Sequence, residues 1–132
     1  MIVLDTHILV WWVSGDTQLS GNAIKAIKKE LNGGGDILVS SITAWEVSML
    51  VAKNRLMLTM DLDTWLKTVN EIDCVSFVPV DNKVAIESVR LPGEFHKDPA
   101  DRMIVSLARG MSVPLVTADE KILNYKHVKT IF

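Results

Sequence analysis

Five acidic residues, Asp5, Glu46, Asp98, Asp101 and Asp119, stand at or near points where strand-forming stretches give way to helical ones. Carboxylates gathered in one place repel each other unless cations share them. Oxygen donors without a cysteine or histidine cluster select Mg2+ or Mn2+ over Zn2+. A pocket of that kind suits phosphodiester hydrolysis, in which metal ions stabilise the attacking hydroxide and the leaving oxygen.

Each residue also has a structural reading. Asp5 and Asp119 can end a strand and cap the helix behind it. Asp98-Pro99-Ala100-Asp101 has the form of an N-cap aspartate, a proline at the first helical position and an acid complementing the helix dipole. For Asp98 the cap and the ligand readings stand side by side. Asp101 projects one turn into the helix, where its side chain can face a crevice. Glu46 falls within the apolar stripe of Ile42, Trp45, Met49 and Leu50. A carboxylate unpartnered there costs on the order of several kcal/mol, so it needs a cation, a hydrogen-bond network or water. Thr43-x-x-Glu46 also has capping-box spacing, and the two readings are compatible.

The elements that must position these acids follow from the pattern of apolar residues. Ile2-Val3-Leu4, Ile37-Leu38-Val39, Cys74 to Val80 and Pro114 to Thr117 read as strands, with His127 to Ile131 as an edge strand. Helices are expected from His7 to Val13, from Ser20 to Gly33, from Ser40 to about Lys53, and from Asp61 to Ile72. Others should run from Asp81 to Leu91, from Asp98 to Gly110, and briefly from Asp119 to Asn124. Strand and helix alternate, which predicts an α/β fold with a mostly parallel sheet. In such a sheet functional groups collect beyond the carboxyl ends of the strands, where these acids fall.

Composition sets the outer bounds. A chain of 132 residues is read as one domain, residues 1–132, with 48% hydrophobic and 23% charged residues. The net charge of −2 excludes a generically basic nucleic-acid coat. With the five candidate acids set aside, eleven acids face fourteen bases, a balance of +3 that favours a phosphate backbone around an acidic centre. One cysteine, Cys74, excludes an internal disulfide and a cysteine-rich metal site. No membrane span and no signal peptide are read, so the expected location is cytoplasmic.

Taken together, Asp5-Thr6-His7-Ile8-Leu9, Val39-Ser40-Ser41 with Glu46, His96-Lys97-Asp98-Pro99-Ala100-Asp101-Arg102, and Leu115-Val116-Thr117-Ala118-Asp119 resemble the PIN-domain ribonucleases, most closely the VapC-type toxins of bacterial toxin–antitoxin pairs. The resemblance covers nearly the whole chain. It implies a three-layer α/β/α fold and a Mg2+- or Mn2+-dependent endoribonuclease. Asp5, Glu46, Asp101 and Asp119 would then form the acidic quartet, with Asp98 as an additional acid and Thr6 and Thr117 as hydroxyls that orient carboxylates or water. It further implies an RNA substrate, a VapB-like antitoxin and a homodimer. A PIN-domain RNA-processing nuclease and a non-catalytic PIN binding module are the alternatives within the same scaffold.

Other residues carry less. His96 reads as structural more readily than as a proton relay or RNA contact, and Arg102 as a phosphate binder or the partner of a nearby acid. Trp11, Trp12, Trp45 and Trp65 read as core or dimer contacts, and the helices bearing Trp11, Trp12, Ile42, Trp45 and Met49 offer apolar surface for a groove or dimer. Cys74 reads as a small buried hydrophobe. A phosphoacceptor signalling domain would use Asp81, but the first strand ends in one acid rather than a pair and no late strand ends in lysine. Gly33-Gly34-Gly35 precedes a strand rather than a helix, which removes a phosphate-binding loop.

Overall fold

Strands of two to four residues survive here because the three inner ones bury their side chains on both faces of the sheet. The computed structural model describes Met1–Phe132. Its strands are β1 (Ile2–Leu4), β2 (Ile37–Ser40), β3 (Val75–Val78), β4 (Leu115–Val116) and β5 (Thr130–Ile131). They form one sheet in the order β3-β2-β1-β4-β5, and every pairing is parallel. Ile2 pairs with Ile37 and Val3 with Leu115, so β1 sits at the centre.

The two-residue period of the strands sorts the core into two layers. Ile2, Leu4, Ile37, Val39 and Val116 face one side with Ile8, Leu9, Ala23, Ile27, Val47, Trp65 and Val69. These come from α1 (Thr6–Ser14), α2 (Gly21–Gly33), α3 (Ser41–Ala52) and α4 (Leu62–Asn70). Val3, Leu38 and Leu115 face the other side with Ile104, Val105, Leu107, Ala108 and Ile122. Those belong to α6 (Pro99–Met111) and α7 (Glu120–Leu123), and α5 (Asn82–Val89) packs on α6 with Val84 partly buried against the same core. The result is the α/β/α sandwich expected, with a wholly parallel sheet.

Helix starts follow their capping residues. Ser20, Asp61, Asp81 and Asp98 each accept a backbone N–H from three positions ahead. Cys74 departs from its expected place: it precedes β3 in the left-handed region (φ 71°), and only Val75–Val78 pair. The loop must turn there before the strand can take its register. Trp65 is buried in the core, whereas Trp45 is 55% exposed. No helix is long and apolar enough to cross a membrane.

Candidate active site

Strand order places the site. The chain steps outward from β1 to β2 and β3, then returns to lay β4 on the other side of β1. The crevice at such a reversal lies beyond the carboxyl ends of the two central strands. Asp5 follows β1 there, and Thr117 follows β4. The Thr117 hydroxyl donates to Asp5 Oδ2 at 2.7 Å across a separation of 112 residues. Asp5 Oδ1 accepts the Thr6 N–H at 2.8 Å, which caps α1. Asp5 is only 6% exposed, and its burial raises its pKa against the lowering effect of those two hydrogen bonds.

Glu46 enters from α3. The Thr6 hydroxyl lies 2.6 Å from Glu46 Oε1 and 2.9 Å from the hydroxyl of Thr43. Thr6 has one hydroxyl proton and gives it to the carboxylate, so Thr43 must donate to Thr6. The order is therefore Thr43 to Thr6 to Glu46. Burial holds the pKa of Glu46 up, opposed by the Thr6 bond and assisted by the charges of Asp5 and Asp98.

This arrangement replaces the capping box. The N-cap of α3 is Ser40, whose hydroxyl accepts the Ile42 N–H, and Thr43 is fully buried against Thr6. The apolar stripe of α3 is also rotated from its expected place, since Thr43 and Val47 are the buried positions. Ile42, Trp45 and Met49 instead line a depression of about 410 Å³ with Glu46, Asp98, Pro99 and Ala100. The sequence contained a sign of this: Thr43 and Glu46 at i, i+3 share a helix face whichever partner claims them.

Asp98 and Asp101 open α6. Asp98 is exposed and accepts the Asp101 N–H at 3.0 Å, so its cap role is formed. Asp101 is half-buried, and burial pushes its pKa up to about 8. The charges of Asp5, Asp98, Asp119 and Glu46 push the same way. Asp119 is half-buried at the start of α7, its Oδ1 accepting the Lys121 N–H at 2.8 Å while its own N–H donates to Thr117 Oγ1 at 3.1 Å. Thr117 thus links Asp5 to the segment that carries Asp119.

At this edge of the sheet the other four acids all bear electrostatically on Asp101. No three acidic or histidine side chains close around one point. Arg102 is no part of the cluster. Its guanidinium donates to the carbonyls of Ser88, Phe95 and His96, and it serves to fix the preceding loop. His96 brings Nε2 to 3.0 Å from Asp101 Oδ2, a contact that sequence spacing did not reveal. Beside the acids, Thr6 and His7 begin an apolar groove of about 720 Å³, which continues over Val10, Trp11, Leu56 and Met57.

A parallel sheet that gathers threonine-held carboxylates at its topological switch point defines a class, and the comparisons identify it. The chain matches the PIN domain family over residues 2–128 and belongs to it. It is 30% identical over 130 residues to Ribonuclease VapC22 of Mycobacterium tuberculosis, spanning 98% of this chain and 95% of that protein. Among solved structures, it resembles VapBC2 from Rickettsia felis bound to a promoter DNA fragment, with a TM-score of 0.71 and 18% identity over 98% of this chain and 97% of that one. A toxin–antitoxin complex from Klebsiella pneumoniae gives a TM-score of 0.66 and 21% identity over 97% and 95% of the respective chains.

Proposed function

We propose that this protein is a metal-dependent endoribonuclease, the toxin of a toxin–antitoxin pair, acting as one PIN domain over residues 1–132. The observation that carries the reading is the convergence of four acids on a fifth beyond the carboxyl ends of β1 and β4: the charges of Asp5, Asp98, Asp119 and Glu46, together with burial, raise the carboxyl of Asp101 to about 8. Such a cluster is at its most costly when fully ionised and without cations, and divalent ions relieve that cost. An identity of 30% over nearly the whole length to a protein named as a ribonuclease supports RNA as the substrate.

The donors are carboxylate and hydroxyl oxygens, a set that fits Mg2+ or Mn2+. Asp5, Glu46, Asp101 and Asp119 would hold the metal, with Asp98 beside them. When bound, the metal supplies charge stabilisation for the attacking and leaving oxygens of an in-line displacement. The chain itself supplies orientation. Thr117 fixes one oxygen of Asp5, and the Thr43–Thr6 pair fixes one oxygen of Glu46, so both carboxylates present a defined face. The scissile phosphate then sits beyond β1 and β4, with water as the nucleophile and the ribose hydroxyl left intact.

The remaining features fit a regulated, cytoplasmic toxin. The groove beginning at Thr6 and His7 and the depression around Trp45 give a VapB-like antitoxin apolar surface beside the acids, and an antitoxin arginine could pair with the carboxylates bidentately. A homodimer is expected, as in VapC-type toxins. The deciding experiment is cleavage of a defined RNA by the purified chain. Activity lost in EDTA, restored by Mg2+ or Mn2+ and leaving 5′-phosphate and 3′-hydroxyl ends supports the reading. Undiminished activity in excess EDTA, or cyclic-phosphate products, overturns it.

A further inference from the structure

Resting on that reading, we infer that His96 is a positioning residue for Asp101: its Nε2–H holds carboxylate oxygen Oδ2 and leaves the other oxygen for a divalent cation. His96 Nε2 is the one buried side-chain nitrogen or oxygen in the molecule without a hydrogen-bond partner. It nevertheless lies 3.0 Å from Asp101 Oδ2, with the two side chains 20% and 16% exposed. The separation is that of a hydrogen bond and the alignment is not, and reorientation of either side chain on metal loading would complete it. A histidine serving only to pack would have its nitrogens in solvent or satisfied within its own loop.

The loop is built to present this ring. Phe95 meets the imidazole edge-on, with centroids 4.5 Å apart and planes at 68°. Phe95 also packs on Tyr125 at 4.5 Å, and the Tyr125 hydroxyl donates to the Pro92 carbonyl. Arg102 ties down the backbone by donating to the carbonyls of Phe95 and His96 at 3.1 and 3.2 Å. It follows Asp101 directly on α6, so the helix that carries the acid also anchors the loop that carries the histidine.

A carboxylate free to rotate offers a cation either oxygen, or both, and binds it poorly in any one geometry. Holding one oxygen removes that freedom. Partners of this kind behind a metal ligand are worth about 10–100-fold in metal affinity or activity. Asp5 has Thr117 and Glu46 has Thr6 for the task. Asp101 has His96.

The test uses the full chain and Mn2+ alone, with binding followed by calorimetry. His96→Phe keeps a ring against Phe95 and removes the donor, whereas His96→Gln keeps a donor and removes the ring. The expected result is a loss of about tenfold or more in Mn2+ affinity for His96→Phe, with affinity recovered in His96→Gln. Wild-type affinity in a folded His96→Phe, or an equal loss in both variants, overturns the inference. Independently of any variant's folding, the imidazole 15N signals of the Mg2+-loaded wild type should place the proton on Nε2, and a bare Nε2 overturns it. If the wild type itself binds no Mn2+ and cuts no RNA, the nuclease reading has failed; if it does both and His96→Phe matches it, only the positioning role has.

Discussion

Thr6 and Glu46, forty positions apart in the chain, meet through a 2.6 Å hydrogen bond that joins the first turn of α1 to the second turn of α3. Thr43 completes it from behind at 2.9 Å. Replacing Thr6 by valine leaves Thr43 buried with an unmatched hydroxyl, a loss of about 1–3 kcal/mol in unfolding free energy. The double variant Thr6→Val/Thr43→Val should recover much of that stability, since both polar groups are then gone, without regaining RNA cleavage. Denaturant unfolding and a cleavage assay on the same samples check this. Strictly additive stability losses would show that the two hydroxyls are not coupled.

Asp98 and Asp101 should separate by role. Asp98→Ala removes the N-cap of α6, costing about 1 kcal/mol in folding and leaving some cleavage. Asp101→Asn should abolish cleavage with no loss of stability, because asparagine is neutral like the protonated carboxyl that burial and four neighbouring acids favour. The reverse pattern would assign the roles the other way.

Stability in EDTA should fall with rising pH. The Asp101 carboxyl rises from 3.8 to about 8 on folding, and those of Asp5 and Glu46 are raised as well. Between those limits the folded chain holds more protons than the unfolded one, so stability declines from about pH 4 through about pH 8. Thermal unfolding of wild type and Asp101→Asn across this range isolates the effect. The gap should narrow toward acid pH and when Mg2+ is added to the wild type. A gap independent of pH would remove Asp101 as its source.

Arg102→Lys should destabilise the fold by about 1.5–3 kcal/mol, because an ammonium cannot reproduce a fork that spans the Ser88, Phe95 and His96 carbonyls. Its main effect should appear in thermal unfolding and in protease cleavage within residues 91–98. A variant of wild-type stability with weakened RNA binding would restore the phosphate-binding reading of this arginine.

Expression of the wild-type chain alone should arrest growth, while Asp5→Asn should not. Asparagine retains an oxygen for the Thr6 N–H cap, so the variant is expected to fold. Equal growth with both proteins folded and abundant would point to housekeeping RNA processing instead of toxicity.

The sequence by itself determined the alternation of strands and helices, most of the caps, and the placement of acids just past strand ends. These are local properties: an N-cap is set within three residues, and a short strand bounded by Asp5 or Thr117 is visible in the run that precedes it. The tertiary structure alone decided which groups meet. Thr117 reaches Asp5 because β4 pairs beside β1, a choice of strand order that no local window contains. Thr43 turned from a cap into a partner of Thr6, and the buried face of α3 shifted to Thr43 and Val47, because packing against α1 and the sheet set the helix's rotation. Arg102 found three carbonyls rather than an acid because the loop before α6 folds back over its first turn. Capping and periodicity act over a few residues and leave marks in the chain. Contacts across 37 to 112 residues depend on register and helix rotation, which exist only once the whole sheet has formed.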